Sequence, residues 1–359
     1  MITLSLCMIV KNEENHLPSC LDSVTGLFDE IIIVDTGSSD DTKKIAEKYT
    51  DKIYDYEWID DFGAARNFSF SKATSEYIMW LDADDVLPEK TLTELIKLKA
   101  EMSKDIDVVR LPYYYNTAVD DGRPLFTFFR ERIVKNCEFA VWKGFIHETI
   151  AMFGKVISLR CPVVHHKHVE GNKNRNIMIY EKHIQAGDEF SPRDTFYYGR
   201  ELYYHKRNHD AIEVFSKFIS SKKGWIENVI DACRLRSVCY ERLEEPENAL
   251  MSLFEGLIYD APRAESCCEI GRIFMKLEKY KNAIYWYKTA LELEPNYSSG
   301  AFILPDCYGY VPAVQMCVCY SKLGDNKSAF KYNEIAAKFK MTESIEHNRK
   351  WFESIGITE

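Results

Sequence analysis

Three apolar runs near the start of the chain each stop at polar, mostly acidic residues. LSLCMIV at 4–10 runs into Lys11, Asn12 and Glu13. EIIIV at 30–34 runs into Asp35 and the turn-rich TGSSD, and YIMWL at 77–81 runs into Asp82, Ala83, Asp84 and Asp85. Unbroken apolar runs rich in β-branched residues read as strands buried on both faces. Helical signals lie between them. Leu17, Leu21 and Val24 share one helical face, Asp40 or Asp41 can cap a helix over 42–49, and a further helix is expected over 64–72. KIYDY at 52–56 adds a short strand. Strand alternating with helix predicts a mostly parallel sheet covered on both faces. Ligands of such sheets bind outside the carboxyl ends of the strands, so the residues that stop the runs are expected at one edge.

From about Asp194 the rhythm changes and strand signals vanish. Gly199, Leu202, Ala211 and Phe215 form a small-large-small-large quartet, and three more quartets have the same spacing: Ser237, Tyr240, Ala249, Leu253; Gly271, Phe274, Ala283, Tyr287; and Cys317, Tyr320, Ala329, Asn333. This is the tetratricopeptide pattern of paired helices, with an irregular helical bundle as the alternative. Residues 296–311 read as a loop inserted between repeats. The expected architecture is an α/β domain over 1–190 followed by an all-α helical repeat domain over 191–359.

With 359 residues the chain has room for both. No uncharged apolar run is long enough for a membrane span, and the N-terminal run lacks a basic leader, so it reads as a first strand rather than a secretion signal. Eleven cysteines without paired CxxC spacing suit reduced thiols in a cytoplasm. A net charge of -10 removes the usual footprint of a nucleic-acid binder.

The acidic turn after the run at 77–81 is electrostatically odd, because Asp82, Asp84 and Asp85 repel one another. Either they form a solvated turn or a cation sits among them. A hard divalent ion such as Mg²⁺ or Mn²⁺ takes carboxylate oxygens and shares its shell with phosphates. Upstream, FGAARNF at 62–68 puts small residues and Arg66 at a helix start, which suits a diphosphate; Arg66 pairing with an acid is the other reading. Asp35 can accept from a ribose hydroxyl or base N–H, or bond its own turn.

Taken in order and spacing, SLCMIVKNEE, EIIIVDTGSSDDT, FGAARNFSF and YIMWLDADD resemble glycosyltransferase family two, across roughly the first 160 residues. With the repeats, the chain is similar to bacterial peptide and protein glycosyltransferases such as those that modify bacteriocin cysteines. The resemblance implies a GT-A fold and a nucleotide-sugar, UDP-linked in most of the family, as co-substrate. It implies nucleotide-sugar contacts at Val10, Asn12, Glu13, Asp35, Arg66, Asp82, Ala83 and Asp85. It implies Mn²⁺ or Mg²⁺ on Asp82 and Asp84, with a histidine after the last core strand as a further ligand. In His165-His166-Lys167-His168, residues 166 and 168 point the same way on a strand with His165 opposite, so His166 or His168 is the expected ligand in preference to His165, and a solvated polar run is the alternative. The late Glu-Asp pair of many relatives is missing; Glu148, with His147 beside it, is the expected base, and a structural Glu148 is the alternative.

These implications describe a metal-dependent inverting glycosyltransferase with a peptide or protein acceptor, in which the repeats grip the acceptor or make a homodimer. Tyr113-Tyr114-Tyr115 and Phe126, Phe128 and Phe129 are either acceptor-side aromatics or core strands. Two other classes compete. One is a glycosyltransferase acting on nucleic acid, polysaccharide or lipid, for which Lys167, Lys173, Arg175, Lys206 and Arg207 are the densest basic run. The other is a non-catalytic binding protein that works through its repeats.

Overall fold

The structure is a computed structural model and describes every residue except 118–123, 166–173, 298 and 359. The chain forms two compact units, Met1–Ala186 and Gly187–Glu359. In the first, the elements run β1 (Leu4–Val10), α1 (Leu17–Asp22), β2 (Glu30–Asp35), α2 (Thr42–Ala46), β3 (Ile53–Asp55), α3 (Phe62–Phe70), β4 (Tyr77–Trp80), β5 (Asp85–Val86) and α4 (Glu89–Glu101). They continue with β6 (Val108–Thr117), β7 (Pro124–Lys135), β8 (Trp142–Lys143), β9 (Thr149–Ile150), β10 (Val156–Ser158), β11 (Val163–His165) and α5 (Arg175–Ala186).

The sheet order is β3-β2-β1-β4-β7-β6-β11-β5, with β10 also on β6. Strands β3, β2, β1 and β4 are mutually parallel, whereas β7 is antiparallel to both β4 and β6. The apolar runs sort by parity, as a sheet buried on both faces requires. Leu4, Leu6, Met8, Val10, Ile33, Tyr77 and Met79 face one core; Cys7, Ile32, Val34, Ile78 and Trp80 face the other.

Strand β1 matches the expected span, and several helices differ from it. The helix expected over 64–72 begins at Phe62, because the Asp61 carboxylate caps it by accepting from Ala64 N at 2.8 Å. The helices expected over 17–24 and 42–49 stop at Asp22 and Ala46, where hydrogen-bonded turns replace the last helical turn. The aromatic clusters lie on the antiparallel pair β6 and β7, which the strand-helix alternation did not anticipate.

The second unit is helical: α6 (Pro192–Tyr204), α7 (Asn208–Ser220), α8 (Ile226–Arg242), α9 (Pro246–Gly256), α10 (Ala264–Lys276), α11 (Tyr280–Glu292), α12 (Tyr310–Lys322), α13 (Asn326–Phe339) and α14 (Glu343–Ser354). A short 3-10 turn, Pro305–Tyr308, precedes α12 within the stretch read as an insertion. The quartets bridge α6 to α7, α8 to α9, α10 to α11 and α12 to α13. Their small residues allow close approach: a Cβ added at Gly199 would lie 2.7 Å from the Phe215 ring, and one at Gly271 2.8 Å from Tyr287.

Candidate active site

The polar residues that end β1, β2 and β4 meet at the carboxyl edge of the sheet. The loops after β1 and β2 are laced together. Asn12, in the left-handed region at φ 56, donates its N–H to Ser38 Oγ at 2.9 Å and accepts from Ser39 N at 2.8 Å. The Glu13 N–H donates to Thr42 Oγ1 at 2.7 Å. Asp35 is buried. Its Oδ1 accepts from the Gly37 and Ser38 N–H groups, both at 2.9 Å. Its Oδ2 is buried as well and has no hydrogen-bond partner among the described residues. One oxygen builds the turn and the other is available.

The repulsion among the three aspartates has a structural answer in two arginines and a histidine. Asp82 Oδ1 accepts from Arg66 Nη2 at 2.6 Å. Asp85 is fully buried: Oδ2 accepts from Arg132 Nη1 at 2.9 Å and from the Asp82 N–H at 3.1 Å, and Oδ1 accepts from Tyr113 OH at 2.7 Å. Asp84 keeps a side chain 29% exposed and faces His165 Nδ1 at 3.3 Å. That histidine is brought across by the antiparallel pairing of β11 with β5, which sets His165 opposite Asp85.

The guanidinium groups sit in an aromatic stack. Arg66 lies between the Trp80 and Trp142 rings, 4.9 Å from each centroid, and Arg132 between Trp80 at 3.8 Å and Tyr113 at 4.5 Å. Arg130 also covers Trp80, at 4.7 Å. Asn67, from the AARN stretch, holds Trp142 by accepting its N–H at 2.9 Å and donating to its carbonyl at 3.0 Å. Gly63 serves the same junction, since a Cβ there would lie 2.4 Å from the Gly144 carbonyl oxygen. The small residues of this motif thus let the segment that carries Glu148 approach α3. Glu148 is buried, and its Oε1 accepts from Arg66 Nε at 2.6 Å. Arg66 therefore bridges Asp82 to Glu148 and is only 7% exposed. His147, the residue before Glu148, has a left-handed backbone at φ 52.

These contacts set the charge states. Burial raises the Asp82 carboxyl, but the Arg66 and Arg132 charges outweigh it and hold it well below the usual carboxylate range. Burial lowers the His165 imidazole, but hydrogen bonding to Asp84 and Asp85 outweighs that and lifts it to about 9. Glu13 is raised, first by burial and then by the Asp84 and Asp82 charges. Ligand atoms of Asp84, Asp85 and His165 lie within 4.8 Å of one another. Carboxylate and imidazole together suit Mn²⁺ or Mg²⁺. Asp85 is already committed to Tyr113 and Arg132, and His165 Nδ1 faces both Asp84 at 3.3 Å and Asp85 at 3.5 Å, which leaves the Asp84 carboxylate as the more exposed member of this group.

The structure brings Val10, Asn12, Glu13, Asp35, Asp82, Ala83 and Asp84 to the expected edge and buries Asp85 beneath it. His166 and His168 lie outside the described residues, as do Lys167 and Lys173; Arg175 covers the Phe62 ring at 4.8 Å. Sequence reasoning passed over Arg130 and Arg132 and gave Trp80 and Trp142 no role of their own. The signal was present in Arg130-Glu131-Arg132, three charges in the middle of an apolar strand.

Residues 5–158 match the model for glycosyl transferase family 2, and residues 264–297 the tetratricopeptide repeat model. The first unit is thus similar in sequence to glycosyl transferase family 2, and part of the second to the tetratricopeptide repeat. It is 30% identical over 240 residues to the SPbeta prophage-derived glycosyltransferase SunS of Bacillus subtilis, covering 62% of this chain and 54% of that protein. It is 47% identical over 95 residues to a TPR repeat-containing protein of Synechococcus elongatus, covering 26% of this chain and 24% of that one. The chain thus spans between a quarter and about half of the length of these curated relatives. A crystal structure of S. aureus TarS 1-349 in complex with UDP-GlcNAc aligns over 70% of this chain and 90% of its own, at 15% identity and a TM-score of 0.40. Among the described residues, no helix is long and apolar enough to cross a membrane.

Proposed function

We propose that this chain is a metal-dependent glycosyltransferase that moves a sugar from a nucleoside-diphosphate sugar to a peptide or protein side chain, with inversion. The observation that carries the reading is that Asp35, with a buried oxygen that has no partner among the described residues, and the Asp84–His165 pair follow or end strands at the same edge of a sheet similar to family 2. Val10, Asn12, Glu13 and Asp35 hold the nucleoside, and Asp82 and Ala83 line the donor. Asp84 and His165 hold Mn²⁺ or Mg²⁺, which when bound neutralises charge on the leaving diphosphate. UDP is the nucleotide the family resemblance favours.

In the single displacement, an acceptor oxygen or sulfur bonds to the anomeric carbon as the bond to the diphosphate oxygen breaks. The acceptor proton passes to Glu148. Arg66 links this base to Asp82 on the donor side by hydrogen bonds to both carboxylates. A thiol acceptor needs less of this base, because it is already partly ionised near neutral pH. The peptide acceptor follows from the repeats, whose stacked helices form extended binding surfaces.

A hydrolysis screen across UDP- and GDP-sugars with Mn²⁺ tests the reading. One donor should turn over, and Asp84→Ala should lower that rate by about a hundredfold or more, the loss of several kcal/mol of metal stabilisation. If no donor turns over, the repeat-based binding protein becomes the better account.

A further inference from the structure

We infer that Arg132 is a positioning residue: from inside the sheet it fixes Asp85, and through Asp85 the turn that presents Asp82 and Asp84 to a divalent cation and a nucleoside diphosphate. The second half of this statement rests on the proposed glycosyltransferase reading; the first does not.

Four observations converge. Strand β7 breaks register against β6 here: Val109 pairs with Ile133, but Arg110 pairs with Glu131, so Arg132 has no residue opposite it. A bulge of this kind re-aims a side chain, and bulges gather beside active sites. Second, the re-aimed guanidinium is completely buried and sits over the Trp80 and Tyr113 rings, 3.8 and 4.5 Å from their centroids. Third, its Nη1 reaches Asp85 and the Trp80 carbonyl oxygen at 3.2 Å, while Nε and Nη2 have no hydrogen-bond partner among the described residues. Fourth, the Asp85 oxygen that Arg132 holds also accepts the Asp82 N–H, and the Asp85 N–H returns to the Asp82 carbonyl at 3.0 Å. Arg132, Asp85 and the 82–85 turn form one closed circuit.

Stability alone does not account for this arrangement. A buried ion pair is generally no better than packed apolar residues of the same volume, and donors buried without partners are destabilising. The circuit does deliver a fixed direction for Asp84, which lies inside the turn that the Asp82–Asp85 hydrogen bonds close. Groups that orient metal ligands set metal affinity in this way.

The test is Arg132→Lys, which keeps the charge and loses the guanidinium over the two rings, with Arg132→Met as the charge-free companion. Two measurements are made on the full chain: hydrogen exchange across 80–86, and UDP affinity with EDTA and along a Mn²⁺ titration. In Arg132→Lys, exchange at 80–86 should quicken while β1 keeps its protection. The Mn²⁺ concentration that half-enhances UDP binding should rise by about tenfold or more, with UDP affinity in EDTA unchanged. The Met variant should show the same pattern more strongly. Wild-type exchange at 80–86 together with a wild-type Mn²⁺ titration overturns the inference, and so does a loss of protection spread evenly over the sheet. If the wild type binds no UDP yet exchange still quickens only at 80–86, the positioning role of Arg132 stands and the glycosyltransferase reading fails.

Discussion

Asp35 commits one oxygen to its own turn and leaves the other without a partner among the described residues. Oδ1 closes the turn after β2, and Oδ2 sits buried without a donor. An unsatisfied buried acceptor costs about 1–3 kcal/mol, which a donor from a bound nucleoside recovers. Asp35→Asn keeps the turn-forming oxygen and puts an amide where the free oxygen was. The variant should melt within a few degrees of the wild type, yet bind UDP roughly 10- to 100-fold more weakly by calorimetry, the value of a hydrogen bond to a charged group. Unchanged UDP affinity would remove Asp35 from the site. The sequence left open whether this residue serves a ligand or its own backbone; the structure shows the backbone role for one oxygen and leaves the other unpartnered among the described residues. The acidic turn was legible as a charge problem. Its solution was not, because Arg132 reaches Asp85 only through a bulge in a long-range strand pairing. His165 likewise reaches Asp84 through the pairing of β11 with β5 rather than through any local spacing.

Elements carry their own marks of the sequence. The turns inside the four helix pairs each place one residue in the left-handed region, two positions beyond the first helix: Lys206, Glu244, Glu278 and Gly324. Glycine has replaced a side chain only in the last. The left-handed conformation costs an L-residue about 1–2 kcal/mol, and Glu278 is exposed. Glu278→Gly should therefore stabilise the repeats by about 1 kcal/mol, read as a melting point a few degrees higher. In the sheet, Glu30 at the start of β2 is the main polar tie. Its carboxylate accepts from Ser5 Oγ, Lys52 Nζ and the Thr74 and Ser75 N–H groups, the last two at 2.6 and 3.1 Å. Burial raises this carboxyl, but the Lys52 and Ser5 hydrogen bonds and those from Thr74 outweigh it and bring it from 4.5 down to about 2. A depressed pKa gives stability that is complete above pH 4.5 and is lost as pH falls toward 2. The shift corresponds to about 3 kcal/mol, so acid unfolding should be steep in that window and shallower in Glu30→Gln. Strands β1, β2 and β4 were legible because their runs are apolar on both faces. The β6–β7 pair was not, since its aromatic and charged residues fit a binding surface as well as a strand.

At the scale of the whole molecule, the change of rhythm in the sequence corresponds to two compact units with different internal order. The repeats were the more legible, because a quartet recurring with one spacing leaves few alternatives, and Gly199 and Gly271 pack where the spacing required. The α/β unit needed its motifs as well as its rhythm, since the antiparallel β7 in the middle of the sheet follows from no local signal. If the units unfold separately, a ligand of the sheet edge stabilises only one of them. At a hundred times its dissociation constant, UDP with Mn²⁺ adds about 2.7 kcal/mol to the unit that binds it, which for a unit of this size is roughly 5–10 °C. Scanning calorimetry should then show two transitions, of which UDP and Mn²⁺ raise one and Glu278→Gly raises the other. A shift of the same transition by both perturbations would mean that the units melt as one, and would make the repeats part of the donor site's stability rather than a separate platform for the acceptor.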